Sequence, residues 1–281
     1  MKKLTSIILI LFLSILSSPS WTETLTMDDL VERNELYYKK FTNVPFTGEI
    51  SGMESGKIKN GRKNGEWLSY YENGQLKNKE TFKDGERDGF WEYYYENGQL
   101  KLKVNFKDGK EQDGLWEYYY ENGQLESKGN YKDGKSEGLW EEYYVGGQLK
   151  KKGNYKDGKS KGLWEEYYVG GQLESKGNYK DGKKDGLWES YYESGELWEK
   201  ENWKDGELDG LEEVYRENGQ LNYKGNYKDG KKDGLMEYYD KSGQLNTKGN
   251  YKDGELDGLW EYFNEDGSLK KTETWKNGVL Q

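Results

Sequence analysis

Two stretches of this chain spell a phosphate-binding loop. Residues 129–136, Gly-Asn-Tyr-Lys-Asp-Gly-Lys-Ser, match the pattern G-x-x-x-x-G-K-[ST], and residues 153–160 match it again. Such a loop works only where a strand hands over to a helix whose first amides face the phosphate. Here a second strand-like run follows the glycine, and Lys184 and Lys232 replace the final Ser in sister segments, so the match is a product of repetition and nucleotide binding is not expected. The Asp-Gly-Lys-x-Asp segments gather carboxylates, but Lys stands where a calcium loop needs oxygen ligands; solvated turns are expected. Neighbouring acids such as Glu141 and Glu142 point to opposite faces of a strand and cannot converge as an acid–base pair. The chain has no His and no Cys, which removes imidazole catalysis, thiol nucleophiles, disulfides and the usual zinc sites. No G-x-S-x-G segment is present either. A non-enzyme is expected, with no cofactor and no metal.

What remains is aromatic and charged surface. Of the 281 residues, 26 are Tyr, 11 Trp and 38 Gly, with only 2 Pro; 32% are hydrophobic and 34% charged, a balance too poor in aliphatic residues for a deep globular core. These residues recur with a 24-residue period. The glycine preceding the aromatic run returns at Gly65, Gly89, Gly114, Gly138, Gly162, Gly186, Gly210, Gly234 and Gly258, and one interval is longer because Glu111-Gln112 inserts a residue. A fixed period of this size marks a repeat architecture.

Each unit holds two turn signals, Asn-Gly or its equivalent and Asp-Gly, which supply the positive φ angles of tight hairpins. Between them lie short runs rich in Trp, Tyr and Leu. The expected fold is all-β: an elongated, open antiparallel β-meander of about nine 24-residue hairpin repeats in one layer, about 18 strands that would extend roughly 85 Å at about 4.8 Å each. Treating Asn122-Gly123 as a two-residue turn pairs Tyr120 with Leu125, Glu117 with Lys128 and Trp116 with Gly129. The same rule yields Glu92–Lys103, Glu141–Lys152, Glu165–Lys176, Glu189–Lys200, Glu213–Lys224 and Glu237–Lys248, opposite charges across a ladder.

Alternation then separates two faces. The first carries the Trp, most tyrosines four residues later, the Leu after the Gln, and the aromatic six residues beyond that Leu; it should be a shallow core. The second carries the Glu–Lys ladder and a further aromatic column: Tyr70, Tyr94, Tyr119, Tyr143, Tyr167, Tyr191, Tyr215, Tyr239 and Phe263. This column is the candidate partner-binding stripe, suited to an extended peptide or glycan, although rings on a pleated surface also simply shield the sheet and the Lys stems. Two units depart from the pattern, with Glu212 and Met236 in place of Trp and Arg216 and Asp240 in place of the later Tyr.

The units G-L-W-E-Y-Y-Y-E-N-G-Q-L and G-N-Y-K-D-G-K, together with Pro45-Phe46-Thr47-Gly48, resemble the bacterial MORN-repeat variant family over roughly residues 45 to 281. The resemblance implies an elongated open sheet of successive hairpins and little chemistry. Relatives often carry labels as antitoxin components of toxin–antitoxin systems, and others as phosphoinositide kinases, although a repeat array contains no kinase domain. Exported arrays of this kind imply a role at the cell surface or toward a host.

Lys2 and Lys3 precede an apolar run over residues 4–16, followed by Ser18, Pro19 and Ser20. That is the layout of a secretory signal, and the run is short of the roughly 20 residues that span a bilayer. The expected organisation is a signal peptide over 1–20, an N-terminal cap and degenerate leading repeat over 21–60, and nine repeats over 61–281. In the cap, Thr26 and Asp29 suit a short capped helical turn, while Leu30-Val31 and Leu36-Tyr37-Tyr38 around Asn34 suit a hairpin, the favoured choice. The net charge of −10 disfavours nucleic acid and anionic bilayers. The expected function is an exported, non-catalytic repeat scaffold that meets a protein or extended glycan at the periplasm, the cell surface or beyond, with no stable membrane anchor once the signal is cleaved. The alternatives are an antitoxin-like protein that sequesters a cognate toxin and a wall-carbohydrate-binding repeat module.

Overall fold

The computed structural model describes residues 25–111 and 113–281. The expected signal peptide over 1–20 lies outside the described residues. The rest is one antiparallel meander in which each strand pairs with its chain neighbours, starting at Gly48–Ile50 and ending at Val279–Leu280. The sheet is open: among the described residues no ladder joins those two end strands.

Asp-Gly turns drive the meander. At Asp133-Gly134 the φ angles are +50° and +73°, and Lys132 pairs directly with Lys135. Both central residues are left-handed, as a type I′ hairpin requires, so Gly takes the second position and Asp or Asn, which tolerate that region, the first. In most of these turns the glycine amide also reaches back one repeat, as Gly158 N donates to Ser136 O at 2.9 Å, so the turns stack along one edge.

The Asn-Gly turn differs from the two-residue hairpin expected of it. Tyr119, not Tyr120, pairs with Leu125, across a β-bulge. Tyr120 N donates to Gln124 O and Gly123 N to Tyr120 O, both at 2.8 Å. Only Gly123 has positive φ. The Asn122 side chain explains the longer loop: its Oδ1 accepts from Gln124 N at 3.0 Å, and its Nδ2 donates to Val145 O of the next unit at 3.0 Å. Asn here bonds locally and to its neighbour. The rest of the register stands, because the bulge absorbs the shift before Glu117↔Lys128 and Trp116↔Gly129 are reached.

A second bulge falls before each Trp. Asn130 pairs with Glu137 and Gly129 with Trp140, so Gly138 and Leu139 have no partner on that side; Gly138 takes φ +75°. Bulges of this kind bend and twist a strand. In five units the indole N–H closes the gap by donating to the carbonyl ten residues upstream: Trp67 to Lys57, Trp91 to Thr81, Trp164 to Asn154, Trp188 to Asn178 and Trp260 to Asn250, at 3.0–3.2 Å. Trp116, which follows the inserted residue, instead leaves Nε1 buried and without a hydrogen-bond partner.

The Trp face is the core. Trp116, Tyr131, Trp140, Tyr155, Trp164, Tyr179 and Trp188 form an unbroken file with successive centroids 4.7–6.1 Å apart, mostly edge to face. Each such contact adds about 0.5–1.5 kcal/mol beyond area burial. The first end of the core face is covered by the N-terminal cap. A 3₁₀ turn at Met27–Asp29, held by Thr26 N donating to Asp29 Oδ2 at 2.8 Å, leads into a hairpin of Leu30–Arg33 with Leu36–Lys39. Both features that the cap sequence suggests are therefore present in series. Leu25 and Leu30 pack with Ile50, Ile58 and Trp67, and Leu25 bridges Ile50 in parallel, which satisfies part of the first sheet edge.

Candidate functional site

The face opposite the core carries three parallel files. At its centre is an alternating row of charge. After the first, each Lys stands between two Glu, one from its own hairpin and one from the next: Lys128 is directly opposite both Glu117 and Glu141, and Lys152 opposite both Glu141 and Glu165. The row begins at Lys79 and ends at Glu261. All seven expected pairs are in register, but the close contacts mostly lie between units: Lys128–Glu141 at 2.7 Å, Lys152–Glu165 at 2.6 Å, Lys176–Glu189 at 2.9 Å and Lys224–Glu237 at 2.7 Å. The pairs that close within a hairpin are Lys103–Glu92 at 3.3 Å and Lys200–Glu189 at 3.9 Å. Hydrogen bonds from Lys128, Lys152 and Lys176 hold Glu141, Glu165 and Glu189 below the usual carboxylate range, and Glu165 lifts Lys152 to about 12.

On one flank of this row stands the candidate stripe. Tyr70, Tyr94, Tyr119, Tyr143, Tyr167, Tyr191, Tyr215, Tyr239 and Phe263 are all half-buried. Several of the hydroxyls are engaged inside the sheet: Tyr94 donates to Glu92 at 2.9 Å, Tyr143 to Glu141 at 3.0 Å, Tyr167 to Glu165 at 3.1 Å and Tyr191 to Glu189 at 3.0 Å. The ammonium groups of Lys128, Lys152, Lys176 and Lys248 lie over the rings of Tyr143, Tyr167, Tyr191 and Phe263 at 5.6–5.9 Å. Burial, then the Glu92 hydrogen bond, pushes Tyr94 up to about 12. The rings brace the charge row and remain partly exposed.

The other flank was missed from the sequence. Phe90, Leu115, Leu139, Leu163, Leu187, Leu211, Leu235 and Leu259 project from the charged face, and Leu139 and Leu163 are 48% and 49% exposed. Each directly precedes the Trp position, so strand alternation already assigns it to the opposite face; a single Leu beside a Trp reads as core until the two are separated by parity. Apolar residues repeated along one line differ from scattered surface Leu, which need no explanation.

At the hairpin edge the tyrosines four residues after the Trp link successive units. Tyr120 Oη donates to Tyr143 O at 2.7 Å, Tyr144 to Tyr167 O at 2.8 Å and Tyr168 to Tyr191 O at 2.7 Å. Where Arg216 replaces this Tyr, its Nη2 donates to the equivalent carbonyl, Tyr239 O, at 2.7 Å, and its Nη1 to Leu221 O at 3.1 Å. The substitution keeps the link. Asp240 does not: it turns back to cap its own loop, accepting from Ser242 N at 2.8 Å.

On the core face, Met236 fills the Trp site and is fully buried. Glu212 is the other departure, and it is 5% exposed. It lies with Glu199 and Glu201 from the preceding strand, each offering an oxygen within 4.8 Å of the others. Burial and the charges of Glu201 and Glu212 push Glu199 up to about 7. Tyr223 and Tyr227 are raised by burial and then by Glu212.

The file of hairpins, with paired turns, a Trp face and a charged face, defines a repeat protein with a single-layer sheet. Nine consecutive segments match the model of the MORN repeat variant, at residues 63–84, 87–108, 112–133, 136–157, 161–181, 184–205, 208–229, 232–253 and 256–277, and the chain belongs to that family. No curated protein matches it. Among solved structures, a chain described as "Crystal Structure of TcdB2-TccC3-Cdc42" is 15% identical with a TM-score of 0.20, over 79% of this chain and 13% of that one. A second, "Crystal Structure of TcdB2-TccC3-TEV", is 12% identical with a TM-score of 0.16, over 88% and 18%. This chain thus spans less than a fifth of either, and likeness at such TM-scores bears on neither fold nor function. Among the described residues, no helix is long and apolar enough to cross a membrane.

Proposed function

We propose that this MORN-repeat protein is an exported, non-catalytic scaffold that recognises a macromolecular partner on the charged face of its sheet. The observation that carries this reading is the line of exposed Leu residues at one per repeat, running beside the Glu–Lys row. Each Leu is already about half-buried, so covering the rest contributes about half of the roughly 1.5–3 kcal/mol of a fully exposed side chain, and the contribution repeats with the unit. The charges are already paired within the sheet, so they favour register and orientation more than affinity. The half-buried tyrosines offer ring faces along the second flank, which suits an extended peptide or glycan. The layout of residues 1–20 supports export.

The test is fractionation of the native producer, with N-terminal sequencing and crosslinking on the same sample, for wild type and for two variants, Leu139→Ser/Leu163→Ser/Leu187→Ser and Tyr143→Ala/Tyr167→Ala/Tyr191→Ala. The expected result is a start near Trp21, recovery outside the cytoplasm, and a crosslinked surface or host partner lost in the Leu variant. Recovery in the cytoplasm with Met1 intact and a toxin bound overturns the proposal, as does partner binding that survives both variants.

A further inference from the structure

The acids where the sixth unit meets the seventh are a coordinated change in the repeat. In sister units the residue directly before the conserved Asn is Gly, and the next unit's Trp lies directly on it. A Cβ at Gly153 would stand 2.1 Å from Trp164 Cδ2, and one at Gly177 2.2 Å from Trp188 Cδ2. At a single boundary both partners of this contact are acids: Glu201 holds the Gly place and Glu212 the Trp place. A third, Glu199, holds the place of Ser127, Ser175 and Thr247. All three lie on the core face, where sister units stack rings.

One Glu in the Trp site would be drift, but this cluster also has an unmet demand. Glu212 is 5% exposed, and its Oε2 is fully buried and has no hydrogen-bond partner. A buried carboxylate oxygen left unpaired is costly, and such groups neutralise, pair or coordinate. The cations at hand do not meet it. Lys184 Nζ is 4.0 Å from Glu201 Oε2 and lies over the rings of Trp188 and Trp203 at 4.2 and 4.5 Å. Trp203 Nε1 donates to Glu201 Oε2 at 3.0 Å. The ammonium of Lys184 is thus held at Glu201 and the two rings, and Glu212 is approached instead by the neutral hydroxyls of Tyr223 and Tyr227.

We propose that Glu199, Glu201 and Glu212 together hold a hard divalent cation of the calcium class. The three oxygens lie within 4.8 Å of one another, and oxygens bound about 2.3–2.6 Å from one calcium ion lie no more than about 5 Å apart, so their spacing is of the size that one ion spans. The donor set is oxygen alone, which suits calcium and magnesium and excludes the soft metals; calcium's looser geometry accommodates a site built on two neighbouring strands. The hydroxyls of Tyr223 and Tyr227, which interact with Glu212, are further oxygens on the following strand. The ion would replace the missing Trp as the link between the sixth and seventh units.

The test uses the full chain, stripped with chelator and titrated with calcium chloride by calorimetry and with terbium by luminescence sensitised through Trp188 and Trp203. The expected result is one saturable site per chain, a melting temperature raised by calcium, and loss of both signals in Glu212→Trp and in Glu199→Ser. Both replacements are residues that sister repeats carry at these places, and a melt in chelator checks that each variant folds. Glu193→Gln, at an exposed loop acid, should bind as wild type. No saturable binding at millimolar calcium overturns the proposal. So does binding that persists in a folded Glu212→Trp, or calcium that binds without raising the melting temperature.

Discussion

Gly153 lies beneath the indole of Trp164, and a Cβ added there would come within 2.1 Å of Trp164 Cδ2. The glycine is needed for this approach and not for its backbone angle, since Gly153 is absent from the positive-φ residues. The same contact joins Gly129 to Trp140, Gly177 to Trp188 and Gly249 to Trp260. It is the means by which one repeat docks on the next.

Gly153→Ala should therefore destabilise the array by about 1–3 kcal/mol through overpacking. Urea unfolding followed by Trp fluorescence measures it. A midpoint equal to wild type would show that the indole slides aside at no cost.

The tyrosines of the hairpin edge and of the stripe should differ. Tyr168→Phe removes a 2.7 Å bond to the Tyr191 carbonyl of the next unit, at a cost of about 0.5–1.5 kcal/mol. Tyr167→Phe removes a bond to Glu165, which keeps its 2.6 Å contact with Lys152, and should cost less. Equal losses in paired melts would contradict this order.

Two tryptophans in the same repeat position should respond differently to Phe. Trp164→Phe loses aromatic area and the bond to Asn154 O. Trp116, only partly buried where Trp164 is fully buried, loses less area as Phe and is relieved of a buried N–H that has no partner, and unmet buried donors cost about 1–3 kcal/mol. Trp164→Phe should be the more destabilising by that order, and denaturant melts giving the reverse would refute the assignment of these two bonds.

Acid should weaken the charge row. Glu141, Glu165 and Glu189 have folded-state pKa values below the ordinary 4.5, chiefly because of hydrogen bonds from Lys128, Lys152 and Lys176. Between the folded and unfolded values the unfolded chain binds more protons, so the contribution is complete above about 4.5 and is lost as pH falls through the lowered folded values. Melting temperature against pH should fall more steeply there for wild type than for Lys128→Met/Lys152→Met/Lys176→Met. Identical slopes would remove the row from the account. High salt should shrink the difference, since these side chains are solvated.

The strand pattern, the two turns per unit and the seven Glu–Lys registers were legible because they rest on alternation and turn chemistry, both local to one hairpin. The Asn-Gly turn misled by one residue at Tyr120. Asn122 there bonds to Gln124 N and to Val145 O of the next unit, and the second partner lies outside the hairpin from which the turn was inferred. The exposed Leu file was within reach of the same parity argument that separated Glu117 from Trp116.

By itself the sequence determined the repeat, the all-β class, the identity of the two faces and the absence of imidazole and thiol chemistry, since periodicity and composition need no knowledge of neighbours. Only the tertiary structure decided that Lys128 closes on Glu141 of the next unit and not on Glu117 of its own, that the Trp164 indole reaches the carbonyl of Asn154, and that Glu199, Glu201 and Glu212 share one place. Each depends on how two bulges bend adjacent strands, and a bend fixes the distance between side chains that spacing along the chain leaves open.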